Sequence, residues 1–326
     1  MSEIHKFLFE GVPVRGVLVR LTDAWTEILR RRAGNTTHGA FPPAVLQLLG
    51  EMTAAAVLMQ SNIKFDGALV LQVLGDGPVK LAVVEVQPGL GLRATATVNG
   101  EVAADARLSQ MVNLGRQGRC VITLDPQNRQ PGQQPYQGVV PLVDSADQTL
   151  EKLSDVLQHY MHQSEQLDTT LVLAADDKVA AGLLIQRLPT QGSGNLSNIS
   201  TGTDGVDPSE DYRRIALLAS SLKRDELLTL DATTVLHRLF WQEDLRRFDP
   251  VQGAPAPHFA CSCSRDRVSK MLVGLGAQEA HSILQETQVI EVGCDFCGVQ
   301  YRFDSVDVEQ LFHQPEQRPP SGAAIH

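Results

Sequence analysis

Four of the five cysteines crowd one stretch near the C-terminus: Cys261-Ser-Cys263, then thirty residues, then Cys294-Asp-Phe-Cys297-Gly298. In a chain without secretory features, two close pairs point to metal or redox chemistry rather than structural disulfides. The second pair lies between Ile290/Val292 and the alternating Val299, Tyr301 and Phe303, which predicts a β-hairpin with a zinc-knuckle tip. Val268, Met271, Leu272 and Leu275 form a helical stripe that stops at Gly276, and a second helix carries Ile283 and Leu284. The unit so made, Phe259 to His313, has about 55 residues. A single core of that size leaves little surplus stability, so a staple is expected.

Four thiolates around one zinc ion supply such a staple, with apparent binding energies of roughly 10–16 kcal/mol in small zinc domains. Four protein ligands close the coordination shell and leave no position for a substrate water, so hydrolytic zinc chemistry is not expected. An iron–sulfur cluster is another use of the same thiolates, and His258 is an alternative ligand. C-x-x-C is common in zinc sites, whereas C-x-C is not. Zinc–sulfur bonds of ~2.3 Å set neighbouring sulfurs about 3.8 Å apart, against about 2.05 Å in a disulfide. Oxidation to a disulfide then needs only local backbone change and takes away the electrons that hold the metal. On the cysteines alone, structural zinc and a redox switch both stand.

The rest of the 326 residues suits two unequal domains. Phe7, Phe9, Val12, Val14, Val17 and Val19 alternate as in half-buried strand. A short helix follows from Thr22, its Arg30-Arg31-Arg32 run reading as cations at a solvated C-terminus. Pro42-Pro43 opens a strongly apolar helix through Val45, Leu49, Met52, Ala56 and Met59. Residues 67–98 read as a meander turning at Gly75-Asp76-Gly77, with further strands near 119–125, 136–143, 169–174 and 179–188. Ser145 and Gln148 have capping-box spacing ahead of a helix carrying Leu150, Leu153, Val156, Leu157, Tyr160 and Met161. His159 and His162 on that helix read as surface or core residues rather than ligands.

Strands outnumber helices and most connections are too short for crossovers, so the class is α+β. An N-terminal mixed sheet-and-helix domain covers 1–189. A linker region covers 190–252, polar and Gly/Ser-rich to about 209 and helical over 211–247, with Leu236, Leu239, Phe240 and Trp241 as an apolar cluster to be buried on the N-terminal domain. A small C-terminal zinc-binding domain covers 253–326, after a Pro/Gly break at Asp249–Pro257 and ending in a polar tail from Gln314 that is expected to be disordered. No window offers ~18 uninterrupted apolar residues, so no membrane span is expected. Net charge is −10 and aromatic residues make up 5%, which disfavours a general nucleic-acid binder.

HFACSCSRDRVSKMLVGLGAQE with CDFCGVQYRF resembles the C-terminal zinc domain of the redox-regulated 33 kDa heat-shock chaperone family, in its C-x-C, its thirty-residue gap and its C-x-x-C. HGAFPPAVLQLLGEMTAAAVLMQSNIKFDG, LQVLGDGPVKLAVVE and YMHQSEQLDTTLVLAADDKVAAGLLIQRLP resemble its N-terminal domain. The resemblance implies an ATP-independent holdase of the bacterial cytoplasm, not an enzyme. It implies that Cys261, Cys263, Cys294 and Cys297 hold one zinc ion per chain in a reduced, inactive, monomeric state. On oxidation the same four cysteines would form disulfides and release zinc. The linker would unfold, and the chain would dimerise and bind unfolding client proteins.

Short loops cost least to close, so the expected bridges are Cys261–Cys263 and Cys294–Cys297. Cys120 matches none of the four motif cysteines and reads as a bystander. Two other classes stay open. A nucleic-acid-binding zinc ribbon is opposed by the charge and by the lack of a basic stripe near the cysteines. A thiol-disulfide oxidoreductase favours C-x-x-C at a helix N-terminus, whereas here strands flank it.

Overall fold

Apolar alternation along the first twenty residues gives two antiparallel strands, β1 (Glu3–Phe9) and β2 (Val14–Leu21). The computed structural model describes residues 1–35, 39–129, 132–189, 208–248 and 256–313. These fall into two units, Met1–Ala260 and Cys261 onward.

In the first unit, helix α1 (Asp23–Ala33) and helix α2 (Pro43–Asn62) follow the opening hairpin. The meander then supplies β3 (Gly67–Leu74), β4 (Val79–Val86) and β5 (Gly91–Val98). A short helix α3 (Leu108–Val112) leads to β6 (Arg119–Pro126) and β7 (Tyr136–Pro141). Helix α4 (Leu153–Ser164) precedes β8 (Thr169–Ala175) and β9 (Ala180–Arg187). Three helices come next, α5 (Pro208–Ser220), α6 (Arg224–Thr229) and α7 (Ala232–Phe240). Two short strands, β10 (Leu245–Phe248) and β11 (His258–Phe259), complete the unit.

The strands form a five-stranded sheet, β10-β1-β2-β9-β8, and a six-stranded sheet, β11-β5-β4-β3-β6-β7, antiparallel except where β11 joins β5. Helix α2 packs on strands of both sheets and is buried along nearly its whole length. By length and apolarity it would pass for a membrane span, but 78% of its apolar window is buried. A helix that is apolar all round belongs in the middle of a core, and α2 is the centre of the larger one, with Val19, Leu21 and Trp25 on one side and Leu71, Val84 and Leu92 on the other.

The five-stranded sheet is covered on its second face as well. Strand β9 reads as an apolar run because its residues serve two cores by turns, Leu184 the first and Leu183 and Ile185 the second. Helices α5 to α7 bring Ile215, Leu227, Val235, Leu236 and Phe240 onto Phe7, Phe9 and Leu18. Gly16 lies opposite Phe7, where an added Cβ would come within 2.2 Å of its ring. Polar ties hold the cover too: Arg20 donates to the Leu227 and Leu228 carbonyls at 2.9 and 3.1 Å, and the Tyr212 and Thr170 hydroxyls lie 3.0 Å apart.

The mixed α+β architecture agrees with the sequence reading. Four local expectations are corrected. Ser145 does not cap α4: the Asp144 carboxylate takes the Ala146 and Gln148 amides in a turn, and the helix begins only at Leu153. The helical reading of 211–247 ends in strand, because β10 finds an edge on β1. Leu236, Leu239 and Phe240 are buried on the first unit as expected, but Trp241 is 67% exposed. Arg32 is not solvated: it is 8% exposed, with its guanidinium 4.3 Å from the centre of the Phe41 ring, while Arg30 and Arg31 pair with Glu27. The 190–207 stretch, residues 249–255 of the Pro/Gly break and the tail from Gln314 lie outside the described residues.

A cavity of about 610 Å³ opens beside α2 and contains Glu51. Burial lifts its carboxyl to about 7, against the Gln47 hydrogen bond and the charges of Arg224 and Lys152. Unfolded, the same group titrates near 4.5. Between those values the native state binds more protons than the unfolded one, so stability falls as pH rises through this window. Glu51→Gln is therefore expected to stabilise the protein at pH 8 by about 1–3 kcal/mol and to be neutral at pH 4.5. Urea titrations of both proteins at the two pH values check this, and an equal difference at both would contradict it.

Candidate metal centre

The second unit is small. Helix α8 (Arg265–Leu275) and helix α9 (Ala277–Thr287) precede a hairpin of β12 (Ile290–Gly293) and β13 (Gln300–Phe303), and α10 (Ser305–His313) closes it. Helices α8 and α9, divided at Gly276, and the hairpin match the sequence reading; α10 was not foreseen. Five buried residues, Leu272, Ala280, Ile290, Phe303 and Val308, make up the centre of its core. Arg265 braces it, donating to the Arg302 carbonyl at 2.7 Å, pairing with Asp307 at 2.7 Å and stacking 4.2 Å from the centre of the Phe303 ring.

The cysteines sit at the two ends of this frame. Cys261 and Cys263 lie in the extended stretch before α8, whose N-cap Ser264 accepts the Arg267 amide at 3.2 Å. Cys294 and Cys297 form the hairpin tip. There the Cys294 amide donates to the Val299 carbonyl at 3.0 Å and the Gly298 amide to the Cys294 carbonyl at 2.7 Å. Gly298, at φ +75°, takes the left-handed turn that side chains resist.

All four Sγ atoms lie within 4.8 Å of one another, and none of the four is joined in a disulfide. Cys261 and Cys294 are 3.7 Å apart, Cys263 and Cys297 3.3 Å. Tetrahedral zinc–thiolate geometry asks for about 3.8 Å, so the donor set and its spacing fit one such ion with little adjustment. Among the described residues this is the one group of three or more His, Cys, Asp or Glu drawn together in that way. His258, the alternative ligand, instead donates from Nδ1 to the Ala256 carbonyl at 3.0 Å.

Four thiols this close oppose one another's ionisation. Burial pushes Cys294 up, the charge of Cys261 adding to it, and burial with the neighbouring sulfurs pushes Cys297 up further. Cys263 moves the other way. Burial raises it, but hydrogen bonds from Tyr301 and the other cysteines outweigh that and bring it down to about 7. The Tyr301 phenol, hydrogen-bonded to Cys263, is pushed up to about 12. Four thiolates can coexist here only with a cation among them, which is what a divalent ion supplies.

Tyr301 and Arg265 were not singled out from the sequence. Tyr301 was visible there only as an alternating strand residue four places after Cys297. Cys120 lies fully buried in β6, its thiol pushed up to about 12 by burial, which makes it an unreactive core residue. His162 faces Asp168 at 3.6 Å and takes no part in the cluster.

A family model described as "Hsp33 protein" matches residues 2–304. The 33 kDa chaperonin of Chromobacterium violaceum is 44% identical over 311 residues, covering 95% of this chain and 94% of that one. That of Methylobacillus flagellatus is 43% identical over 314 residues, with the same coverage. The crystal structure of the Thermotoga maritima 33 kDa chaperonin superposes with a TM-score of 0.68 at 19% identity, over 94% of this chain and 97% of that one. A match along nearly the whole length, a shared fold and a four-cysteine cluster compatible with zinc place the chain in the Hsp33 family of chaperones.

Proposed function

We propose that this chaperone is a redox-regulated holdase, switched by the four cysteines that hold zinc in its resting state. The observation that carries this is the gathering of four cysteines not joined in disulfides, the one such group among the described residues, in a unit whose core centres on five buried residues. Zinc bound there supplies the cohesion that so small a core lacks. Oxidation removes it in a balanced step: two thiolates lose two electrons and form one disulfide, while a peroxide takes the electrons and leaves as two hydroxides. Cys261 with Cys263 and Cys294 with Cys297 remain our assignment. In the folded cluster the sulfurs of Cys261 and Cys294 lie 3.7 Å apart and those of Cys263 and Cys297 3.3 Å apart, but bridges form as the unit loosens, and short loops then close first.

The segment 190–252 acts as the linker region of this switch. Its helices cover an apolar face of the five-stranded sheet. Losing that cover exposes two apolar surfaces at once, and such surfaces bind other proteins. Clients are unfolding polypeptides, holding needs no ATP, the oxidised chain dimerises, and the site of action is the cytoplasm.

The test is made on the full chain, reduced and after peroxide with mild heat. Metal analysis should find one zinc per reduced chain and loss of zinc on oxidation. Aggregation of a heat-unfolded client should be suppressed only by the oxidised form, and peptide mapping should find the two neighbour bridges. A reduced, zinc-loaded protein that holds clients equally well would sink the regulation. Mostly crossed bridges would sink the pairing alone.

A further inference from the structure

The outer partner of Cys263 is a side chain. Tyr301 Oη donates to Cys263 Sγ at 3.2 Å. Cys294 and Cys297 are served by backbone amides of the knuckle, from Phe296 and Cys297 to the first and from Val299 to the second. Amides come with any sequence that makes this turn, whereas a phenol is supplied by one residue. The hairpin register sets its place, pairing Tyr301 with Val292, and the ring packs at the margin of the small core. The hydroxyl is thereby held on the sulfur.

We propose that Tyr301 is a positioning residue that restrains the reaction of Cys263 with electrophilic oxidants and so sets the threshold of the switch. This rests on reading the four cysteines as a zinc-binding redox switch. The reaction restrained is attack of the Cys263 sulfur lone pair on a peroxide oxygen. The S–O bond forms, the O–O bond breaks, and hydroxide leaves a sulfenic acid behind. A second thiolate then attacks that sulfur, the S–S bond forms and a second hydroxide leaves. In all, two electrons pass from two sulfurs to the peroxide. A hydrogen bond donated to the attacking sulfur holds the electron pair that must form the S–O bond. It strengthens the resting state more than the transition state, where that pair is shared with oxygen.

The experiment uses the full-length, reduced, metal-loaded protein with two substitutions: Tyr301→Phe, which keeps the ring and removes the donor, and 3-fluorotyrosine at 301, a stronger donor of nearly the same size. Zinc release under hydrogen peroxide is followed with a chromogenic chelator. The thiolate-to-metal charge-transfer band is recorded after cobalt(II) substitution. Tyr301→Phe should release zinc about three- to tenfold faster, the size expected for one charge-assisted hydrogen bond partly lost in the transition state. Its band should move to lower energy, because a more electron-rich sulfur gives up an electron more readily. The fluorotyrosine protein should shift both readouts the opposite way.

Wild-type rates and unmoved bands in both proteins would overturn the role of Tyr301. So would shifts in the same direction in both, the mark of disturbed packing rather than donor strength. If the wild type itself keeps its zinc under peroxide, the redox reading of the cluster fails and takes this inference with it. A wild type that releases zinc beside an unchanged phenylalanine variant overturns only the inference.

Discussion

Replacing Cys297 with serine is expected to remove the metal and, with it, the order of the second unit. Cys297 is 7% exposed and lies at the knuckle, within 3.3 Å of Cys263 Sγ. A serine hydroxyl is a far poorer zinc ligand at neutral pH, because it stays protonated where a coordinated thiol does not. The loss draws on a binding energy of roughly 10–16 kcal/mol, more than a core centred on five residues can replace. Zinc should fall well below one per chain, and amide exchange and proteolysis should open residues 265–313. The first unit has two cores of its own and should keep its protection. A variant that retains stoichiometric zinc, or loses zinc and keeps full protection across 265–313, would show that the cluster is not the staple.

Phe240→Ala is expected to yield a protein that holds clients while still reduced and zinc-loaded. Phe240 is 2% exposed and meets Phe9 edge-on, ring centres 5.0 Å apart at 89°, with Phe7 at 6.2 Å. Truncation leaves a cavity under α7 and costs about 3–5 kcal/mol. That cost falls on a nine-residue helix whose N-terminus is held by Asp231 accepting the Thr234 amide at 3.0 Å. Local opening of this cover should therefore precede global unfolding. Amide protection across 232–240 should drop and suppression of client aggregation should appear without oxidant. Lost protection with no gain of activity would mean that the covered face of the five-stranded sheet does not bind clients. Activity with unchanged protection would mean that α7 is not the cover.

The four-cysteine unit was the most legible part of the chain. Its four clustered cysteines are picked out by spacing alone, since a hairpin tip brings Cys294 and Cys297 together within one turn and Ser264 starts a helix directly after Cys263. Helix α8, its stop at Gly276 and the 290–303 hairpin are likewise matters of local period and turn chemistry. Core and surface were harder to assign wherever a side chain has two natures. Arg32 reads as a solvated cation but stacks on Phe41 nine residues away in the chain, and Trp241 reads as core but lies just past the buried face of α7.

Features whose cause lies within a few residues could be read from the chain: the period of most strands and helices, the knuckle, the two close cysteine pairs and the apolar stripe of α7. Tertiary structure alone decided which edges and faces those elements meet. Leu245–Phe248 became strand because β1, more than 230 residues earlier, offers it an unpaired edge. The apolar run of β9 could be explained only once helices were found on both of its faces. Tyr301 gained its bond to Cys263 because the chain between them folds back through α8, α9 and β12. Hydrophobic periodicity records that a side chain must be buried; it carries no address for the partner, which depends on contacts made across the whole chain at once.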